Sequence, residues 1–511
     1  MEFWMLWKDS NLFKRPCIRG CWVWVIILLF AMSQVGYGQD YATVSPNYGS
    51  INPPGLHLGG SGGVTNPDRA ATIPNTTFAV MKADRLELDL GLIKVVSGKD
   101  AYLQLKFSTN RIAGATTYVK ISKPTLTGLN LDLAALLGLA GTNIKSELYI
   151  GATAGNQSSH RGNKVDAETK TEIIVDEQNN YYLAITPISN VVYNSVNIIL
   201  SYPSGLLSLG TFEMNVYHAF TLAKPACSDK ASFTNLGEAQ SVNLNLLSQL
   251  IVNPHYAIND NSNQYASYSS GIVGLGIANT VSQTVYFDHV ASTADGVRVR
   301  LGLSDNLIGL GVANLNAVNF VAYNGTSQVW SENLYNLSQL LSLDLLNLVT
   351  IGDSHKEVDM VFKPEAAFDR IKIEFKAGLL SLGLLGDALR VYHVSLAPSV
   401  PQIVAAGQPH DVSVCEGETV SFSVVVSSPT GGSILYQWQF WNGMTWHDIG
   451  GATSSTLILT HVPLSNDEKK YRVRVIGGNT TCPQTIFSRK ATLSVQLSPG
   501  KPHLTIKDII N

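Results

Sequence analysis

The densest set of binding-competent side chains lies in one polar run, Ala257-Ile258-Asn259-Asp260-Asn261-Ser262-Asn263-Gln264-Tyr265-Ala266-Ser267. Oxygen-rich side chains, Asn259 and Asp260 among them, suit a calcium ion. They also suit a plain turn, because Asn, Asp and Ser bond their own backbone, and the turn is the favoured reading. If the run binds a ligand, Asn259, Asp260, Asn261, Asn263 and Tyr265 are its contacts. A second recurring pair, Tyr217-His218 and Tyr392-His393, closes two strand-like runs, where a polar residue beside a buried aromatic is the ordinary arrangement. Carboxylates such as Asp84, Glu357 and Asp359 alternate with apolar residues and so belong on a solvated strand face. A glycosidase needs two carboxylates converging across a cleft, and no pair is singled out.

No nucleophile elbow, P-loop, zincin helix or dinucleotide fingerprint occurs. Cys415, Cys482, His447 and His461 lack the C-x-x-C or H-x-x-x-H spacing of a zinc site. The expectation is a non-catalytic chain with no cofactor, apart from a structural calcium if the run at Ala257–Ser267 holds one.

The elements that would position these residues are strands. Tyr102-Leu103-Gln104-Leu105-Lys106-Phe107, Val297-Arg298-Val299-Arg300-Leu301 and Phe368-Asp369-Arg370-Ile371-Lys372-Ile373-Glu374-Phe375 alternate with period two. The chain also repeats itself. Gly205-Leu206-Leu207-Ser208-Leu209-Gly210 followed by Tyr217-His218 recurs as Gly378-Leu379-Leu380-Ser381-Leu382-Gly383 followed by Tyr392-His393, and Asn66-Pro67 with Phe78-Ala79 recurs as Asn253-Pro254 with Tyr265-Ala266. Two tandem β-modules follow, residues 64–224 and 240–397, with jelly-roll sandwiches as the natural solution. The surplus length of copy one is assigned to a surface loop at Gly151–Lys170. The Pro/Gly-rich stretch 39–63 reads as a linker or loose lead-in strand, and 225–239 as a second linker. Leu-rich stretches at Leu129–Leu139 and Leu337–Leu348 read as buried packing, with room for a short helix.

Residues 1–38 read as an export signal: Lys8, Lys14, Arg15 and Arg19 precede an apolar run from Cys21 to Met32, with Gly36 and Gly38 before Gln39. Its removal takes Lys+Arg from 35 to 31 and Asp+Glu from 38 to 36, a formal charge of -5. No basic footprint for nucleic acid remains, and no later run is long and apolar enough for an integral membrane span. Secretion or display at the cell surface is expected. Cys227, Cys415 and Cys482 then allow one bridge with one thiol over.

Residues 398–496 carry Cys415-Glu416-Gly417-Glu418-Thr419-Val420, Tyr436-Gln437-Trp438-Gln439, Leu457-Ile458-Leu459 and Tyr471-Arg472-Val473 in that order. This resembles the Ig-like modules of bacterial surface proteins, with Trp438 as the core tryptophan and Tyr471 at the tyrosine corner. Val473 stands where the second cysteine of that family belongs, so the resemblance implies a different bridge, Cys415–Cys482. The run at Ala257–Ser267 resembles the opening loop of discoidin-type, galactose-binding-like modules, with Asn259 and Asp260 at its Asp-Gly pair, Gln264 at its Thr and Ala266 at its Trp. That resemblance implies calcium or carbohydrate at the loop end.

The sum is an all-β, exported chain of two jelly-roll sandwiches, an Ig-like sandwich and a tail from 497 to 511. Its expected role is adhesion to glycan or extracellular matrix. The alternatives are a polysaccharide-active enzyme with an Ig-like spacer and a stalk without a ligand.

Overall fold

A computed structural model describes residues 38–498 apart from 53–59, 75, 90–93, 127–142, 204–208, 225–226, 241–250, 270–279, 310–314, 344–354, 377–386, 429–432 and 479–481. The export signal, Leu129–Leu139, most of the two Gly-Leu-Leu-Ser-Leu-Gly runs and the end of the tail lie outside the described residues.

The first module contains β1 (Gly38–Tyr41), β2 (Val44–Ile51), β3 (Gly63–Thr65), β4 (Ala79–Asp89), β5 (Lys94–Lys106), β6 (Thr117–Ile121) and β7 (Thr125–Leu126). It continues with β8 (Ile144–Ile150), β9 (Asn163–Lys164), β10 (Thr169–Val175), β11 (Tyr181–Pro187), β12 (Ser195–Leu200) and β13 (Leu209–Lys224). One sheet runs β3-β4-β13-β6-β11-β10 and the other β2-β5-β12-β8-β9. The pairing is nested: β8 forms a hairpin with β9, and β6–β11, β5–β12 and β4–β13 close around it. That is a jelly roll.

Two short strands follow, β14 (Phe233–Asn235) and β15 (Glu238–Gln240), and then the second module. Its strands are β16 (Ile251–Val252), β17 (Ala266–Ser269), β18 (Thr280–Ala291), β19 (Gly296–Ser304), β20 (Val318–Asn324), β21 (Ser327–Asn333), β22 (His355–Phe362), β23 (Phe368–Phe375) and β24 (Asp387–Ala397). Two short helices join them, α1 (Asp305–Gly309) and α2 (Leu334–Leu340), the second formed by the start of the Leu-rich stretch at 337. The sheets run β16-β17-β24-β19-β22 and β15-β18-β23-β20-β21. Apart from β10, which has no counterpart among the described residues, this is the pairing of the first module, so the sequence repeat corresponds to a repeated topology. Alternating residues fill each core, Leu103, Leu105, Val196, Ile198 and Phe212 in one and Val299, Leu301, Ile371, Ile373 and Phe375 in the other, all fully buried.

The stretch 39–63, read as a linker or lead-in strand, and the stretch 225–239, read as a linker, both contribute sheet strands. Within 39–63, β2 pairs along β5 and most of β1 along β13. Within 225–239, β14 pairs with β10 at Ile174↔Asn235 and Val175↔Thr234, and with β18 at Phe233↔Tyr286 and Thr234↔Val285. One sheet of the first module therefore continues into one sheet of the second. The linker reading failed because strands of three to eight residues whose partners lie far along the chain leave no periodicity of their own.

The last module has β25 (Gln402–Ile403), β26 (Val412–Cys415), β27 (Val420–Ser423), β28 (Val426–Ser427), β29 (Leu435–Trp441), β30 (Trp446–Asp448), β31 (Thr456–Leu459), β32 (Lys469–Gly478), β33 (Pro483–Phe487) and β34 (Ala491–Gln496). A sheet β26-β34-β32-β29-β30, with β33 also on β32, faces the β27–β31 pair. Trp438 is 0% exposed between them, and its indole Nε1 donates to the Ser454 carbonyl at 2.9 Å. Tyr471 is buried with its ring 5.2 Å from that of Phe422.

The expected Cys415–Cys482 bridge is not formed. Cys482 is bonded to Cys227, with Cα atoms 5.2 Å apart, and Cys415 is free. The reason lies in the strand directions. Val412 and Lys469 both sit level with Leu493, and Cys415 lies beyond that end, level with Gln496. Cys482 follows the other end of β32, nine steps away at Gly478. At about 3.3 Å per step the length of β32 alone keeps the two cysteines more than roughly 30 Å apart, where a bridge needs Cα atoms within about 7 Å.

Candidate functional site

The polar run at 257–267 folds as consecutive turns. The Asn259 side-chain oxygen accepts from the Asn261 backbone N–H at 3.2 Å, and the Asn261 oxygen accepts from the Asn263 N–H at 3.1 Å. The Asn259 amide donates to Gln264 Oε1 at 2.6 Å, and Asp260 forms an ion pair with Lys230. Asn259 and Asp260, the residues expected to open a calcium loop, thus spend side-chain oxygens on the loop's own backbone and on a lysine. Among the described residues no group of three or more His, Cys, Asp or Glu side chains converges as metal ligands would.

Tyr265 stands edge-on to Tyr392 at 5.3 Å, with the Arg390 guanidinium 4.2 Å above its ring. The matching residues of the first copy do the same: Phe78 meets Tyr217 edge-on at 5.4 Å. A cation lies over the dyad tyrosine in both, Lys120 at 6.0 Å from Tyr217 and Arg300 at 5.2 Å from Tyr392. The recurring Tyr-His pair is therefore a latch that fastens each opening loop to its module's last strand. Its histidines differ. His393 Nδ1 lies 3.1 Å from the Asn259 carbonyl, whereas His218 is buried against Tyr41 and Phe220. Burial, and secondarily the nearby Lys120, push the His218 pKa down to about 4, so it is neutral at physiological pH.

The Gly151–Lys170 loop covers one outer face of the first module. Gln104 Nε2 donates to the Arg161 carbonyl at 2.8 Å, Asn47 Nδ2 to the Gln157 carbonyl at 2.7 Å, and Lys106 Nζ to the carbonyls of Thr153 and Gly155. The Arg161 guanidinium stacks 4.5 Å above Tyr102. Lys106 is 0% exposed, and burial lowers its pKa to about 8.

A cleft of about 640 Å³ lies at the first joint. Its walls include Tyr118, Ser189 and Asn190 from the first module and His289, Thr326 and Asp369 from the second. Behind it Tyr118, Tyr182, Phe220, Phe233 and Tyr286 form one buried aromatic cluster, with Tyr118 stacked on Phe233 at 4.8 Å. Together with β14 this cluster fixes the two walls relative to each other. The rim is apolar, with Ile112 75% and Ile188 51% exposed.

The cleft's acids are committed. Asp369 accepts from Arg370 Nε and Nη2, each at 2.9 Å, and from the Gly325 N–H at 3.1 Å. Asp288 is held by His289 Nδ1. Arg370 lies 4.9 Å over Tyr286, its pKa raised by Asp369 against the opposing effect of burial. Burial raises the Tyr118 phenol far above its usual range. Glycoside hydrolysis needs two carboxylates facing the sugar across a cleft, whereas both of these are held by neighbouring side chains. It offers hydroxyl and amide groups inside an apolar rim.

These wall residues escaped sequence reading because they come from distant segments. One signal was legible in principle: Tyr181-Tyr182-Leu183-Ala184-Ile185 is an unbroken apolar run, and β11 is indeed buried at six consecutive positions, Tyr182 to Pro187, so both of its faces are covered.

The Ig-like module is docked onto the second. Besides the Cys227–Cys482 bridge, Asp295 Oδ1 accepts from the Ser399 N–H at 2.7 Å and its hydroxyl at 2.9 Å. Gly478, at φ +97°, passes so near that an added Cβ would fall 2.5 Å from the Ser399 carbonyl oxygen.

Among the described residues no helix is long and apolar enough to cross a membrane. No family model and no curated protein matches the chain. Solved structures similar to it include Ig tandems. A chimeric titin tandem carrying an exogenous decorin peptide is 18% identical, over 20% of this chain and 99% of that one, with a TM-score of 0.15. The first two Ig domains of DIP-gamma are 11% identical over 42% and 89%, TM-score 0.17. A three-Ig titin structure is 8% identical over 75% and 99%, TM-score 0.18. The all-β sandwich assignment rests on the strand pairing itself.

Proposed function

We propose that the chain is an exported, non-catalytic adhesion protein that binds extracellular glycan or matrix in the cleft between its two jelly-roll modules. The carrying observation is that cleft: two walls welded by β14 and an aromatic cluster, with hydroxyl and amide groups inside and every acid paired. Preorganised walls avoid the ordering cost that weakens flexible sites. Export rests on the signal-like residues 1–38. Under this reading the modules are 38–224, 233–397 and 398–496, and 225–232 is the joint. The turns at Asn259 and Asn261 need no metal, so binding is calcium-independent.

The test is a glycan and matrix array with the chain from Gln39 onward, in calcium and in EDTA. Ser327→Trp, at an exposed position on the cleft wall, should abolish the unsubstituted protein's signals for neutral glycans and matrix proteins. Binding unaltered by this substitution would move the site elsewhere, and release of new reducing ends from a bound glycan would restore the enzyme reading.

A further inference from the structure

The outer face of the Ig-like sheet carries large rings where a solvated sheet face ordinarily carries small polar groups. Strands β29 and β30 pair Trp441 with Trp446, their rings 5.5 Å apart. On the far side of β29, Arg472 of β32 places its guanidinium 4.3 Å from the Trp446 ring and 4.1 Å from that of Phe487. A strip Trp441–Trp446–Arg472–Phe487 thus crosses four strands. Phe487 is 47% exposed and Met444, at the β29–β30 turn, 85%.

The charges on this strip are unequal in their partners. Arg474 pairs with Asp448 at 3.0 Å. Arg472 donates through Nε to Gln439 Oε1 at 2.8 Å, and among the described residues it forms no ion pair. A planar cation held between two ring faces, with its outer edge free of any carboxylate, is preorganised for an anion.

We propose that this strip binds an acidic polysaccharide, with pyranose rings lying on Trp441 and Phe487 and a uronate or sulfate group meeting the Arg472 edge. Two features favour that occupant. The strip lies across the face of a sheet, and a protein partner's hot spots seat in desolvated pockets. One unpaired arginine beside Asp448 matches widely spaced negative charges and not the dense charge of a nucleic acid strand. The site is separate from the joint cleft and stands whether or not that cleft binds.

The experiment is affinity electrophoresis and calorimetry of the exported chain with polygalacturonate, heparin, neutral dextran, polyglutamate and a single-stranded DNA. The expected result is salt-sensitive binding to polygalacturonate or heparin, the two arms separating uronate from sulfate. Trp446→Ala and Arg472→Gln should each weaken it roughly tenfold, and Arg472→Lys should restore only part. Phe487→Ala, at a half-exposed position, gives the same readout if Trp446→Ala lowers the melting temperature of the module. Ser327→Trp should leave this binding intact. Binding to dextran, polyglutamate or DNA alone, affinity unaltered in the variants, or no binding to either acidic glycan overturns the proposal.

Discussion

Removing the Cys227–Cys482 bridge should unfasten the Ig-like module from the second jelly roll and lower its melting transition specifically. The bridge spans 255 residues of sequence, but that is not the loop that matters when the Ig-like module unfolds alone. The second module stays folded and holds Cys227 in place, so the chain freed by unfolding runs from Ala397, the end of β24, to Cys482, a length of 482 − 397 = 85 residues. Closing a loop of that length removes about 4.5 kcal/mol of chain entropy from the unfolded state, in the upper part of the usual range for native disulfides. A module of this size has an unfolding entropy of about 0.2 kcal/mol per degree, so the loss corresponds to a fall of up to about 20 °C. Scanning calorimetry of the whole chain should show it, in Cys227→Ser or with a reductant that leaves the other transitions unmoved. Cys415→Ser should change nothing, since that thiol is free. A fall in Cys415→Ser, no fall in Cys227→Ser, or peptide mapping that recovers Cys415 linked to Cys482 would refute the reasoning.

Two further perturbations test the fold. His218 titrates near 4 when folded and near 6.5 when unfolded, so between those values the unfolded chain binds the extra proton. Its contribution is complete above pH 6.5 and is lost as pH falls towards 4, about 2 kcal/mol of it by pH 5. His218→Phe should flatten that part of the acid slope in urea midpoints measured at pH 7 and pH 5, and an unchanged slope would show that His218 is not the group responsible. Trp438→Ala removes a fully buried ring whose indole satisfies the Ser454 carbonyl, and should cost about 3–5 kcal/mol in the Ig-like transition while the jelly-roll transition holds. A variant with both transitions unmoved would mean that Trp438 is not the core residue its burial implies.

The duplication was legible because its signal is internal: the same residues recur in the same order, and the same nested strand pairing follows. Lys106 shows where alternation misleads. In Tyr102-Leu103-Gln104-Leu105-Lys106-Phe107 the even positions read as solvated, yet Gln104 and Lys106 are 0% exposed under the Gly151–Lys170 loop. Period two tells which residues share a face and says nothing about what later covers it. The cysteines fail for a related reason. Spacing made Cys415 and Cys482 neighbours in one module, and only the direction of β32 sets them at opposite ends. The aromatic strip was partly readable: Tyr471-Arg472-Val473-Arg474-Val475 turns both arginines outward, and Trp441 and Trp446 flank a tight hairpin. What sequence could not supply was the register that puts Arg472 between rings from two other strands.

The segment between the jelly rolls, read as a linker, has the opposite role. Within nine residues, Cys227 bonds the Ig-like module, the Asp229 carbonyl accepts from the Leu396 N–H at 2.7 Å, Lys230 bridges to Ser395, and Phe233 to Asn235 pair with β10 and β18. All three modules are fastened at one place. A flexible linker would let weak sites on separate modules sample many spacings, whereas a fixed joint sets the cleft and the Arg472 strip at one separation. Avidity then depends on whether a target repeats its epitopes at that spacing: effective concentration is high where it does and falls to nothing where it does not. The proposed pairing of the two sites depends on the covalent bond at Cys227, so reduction should loosen binding to a long acidic glycan more than binding to a short one.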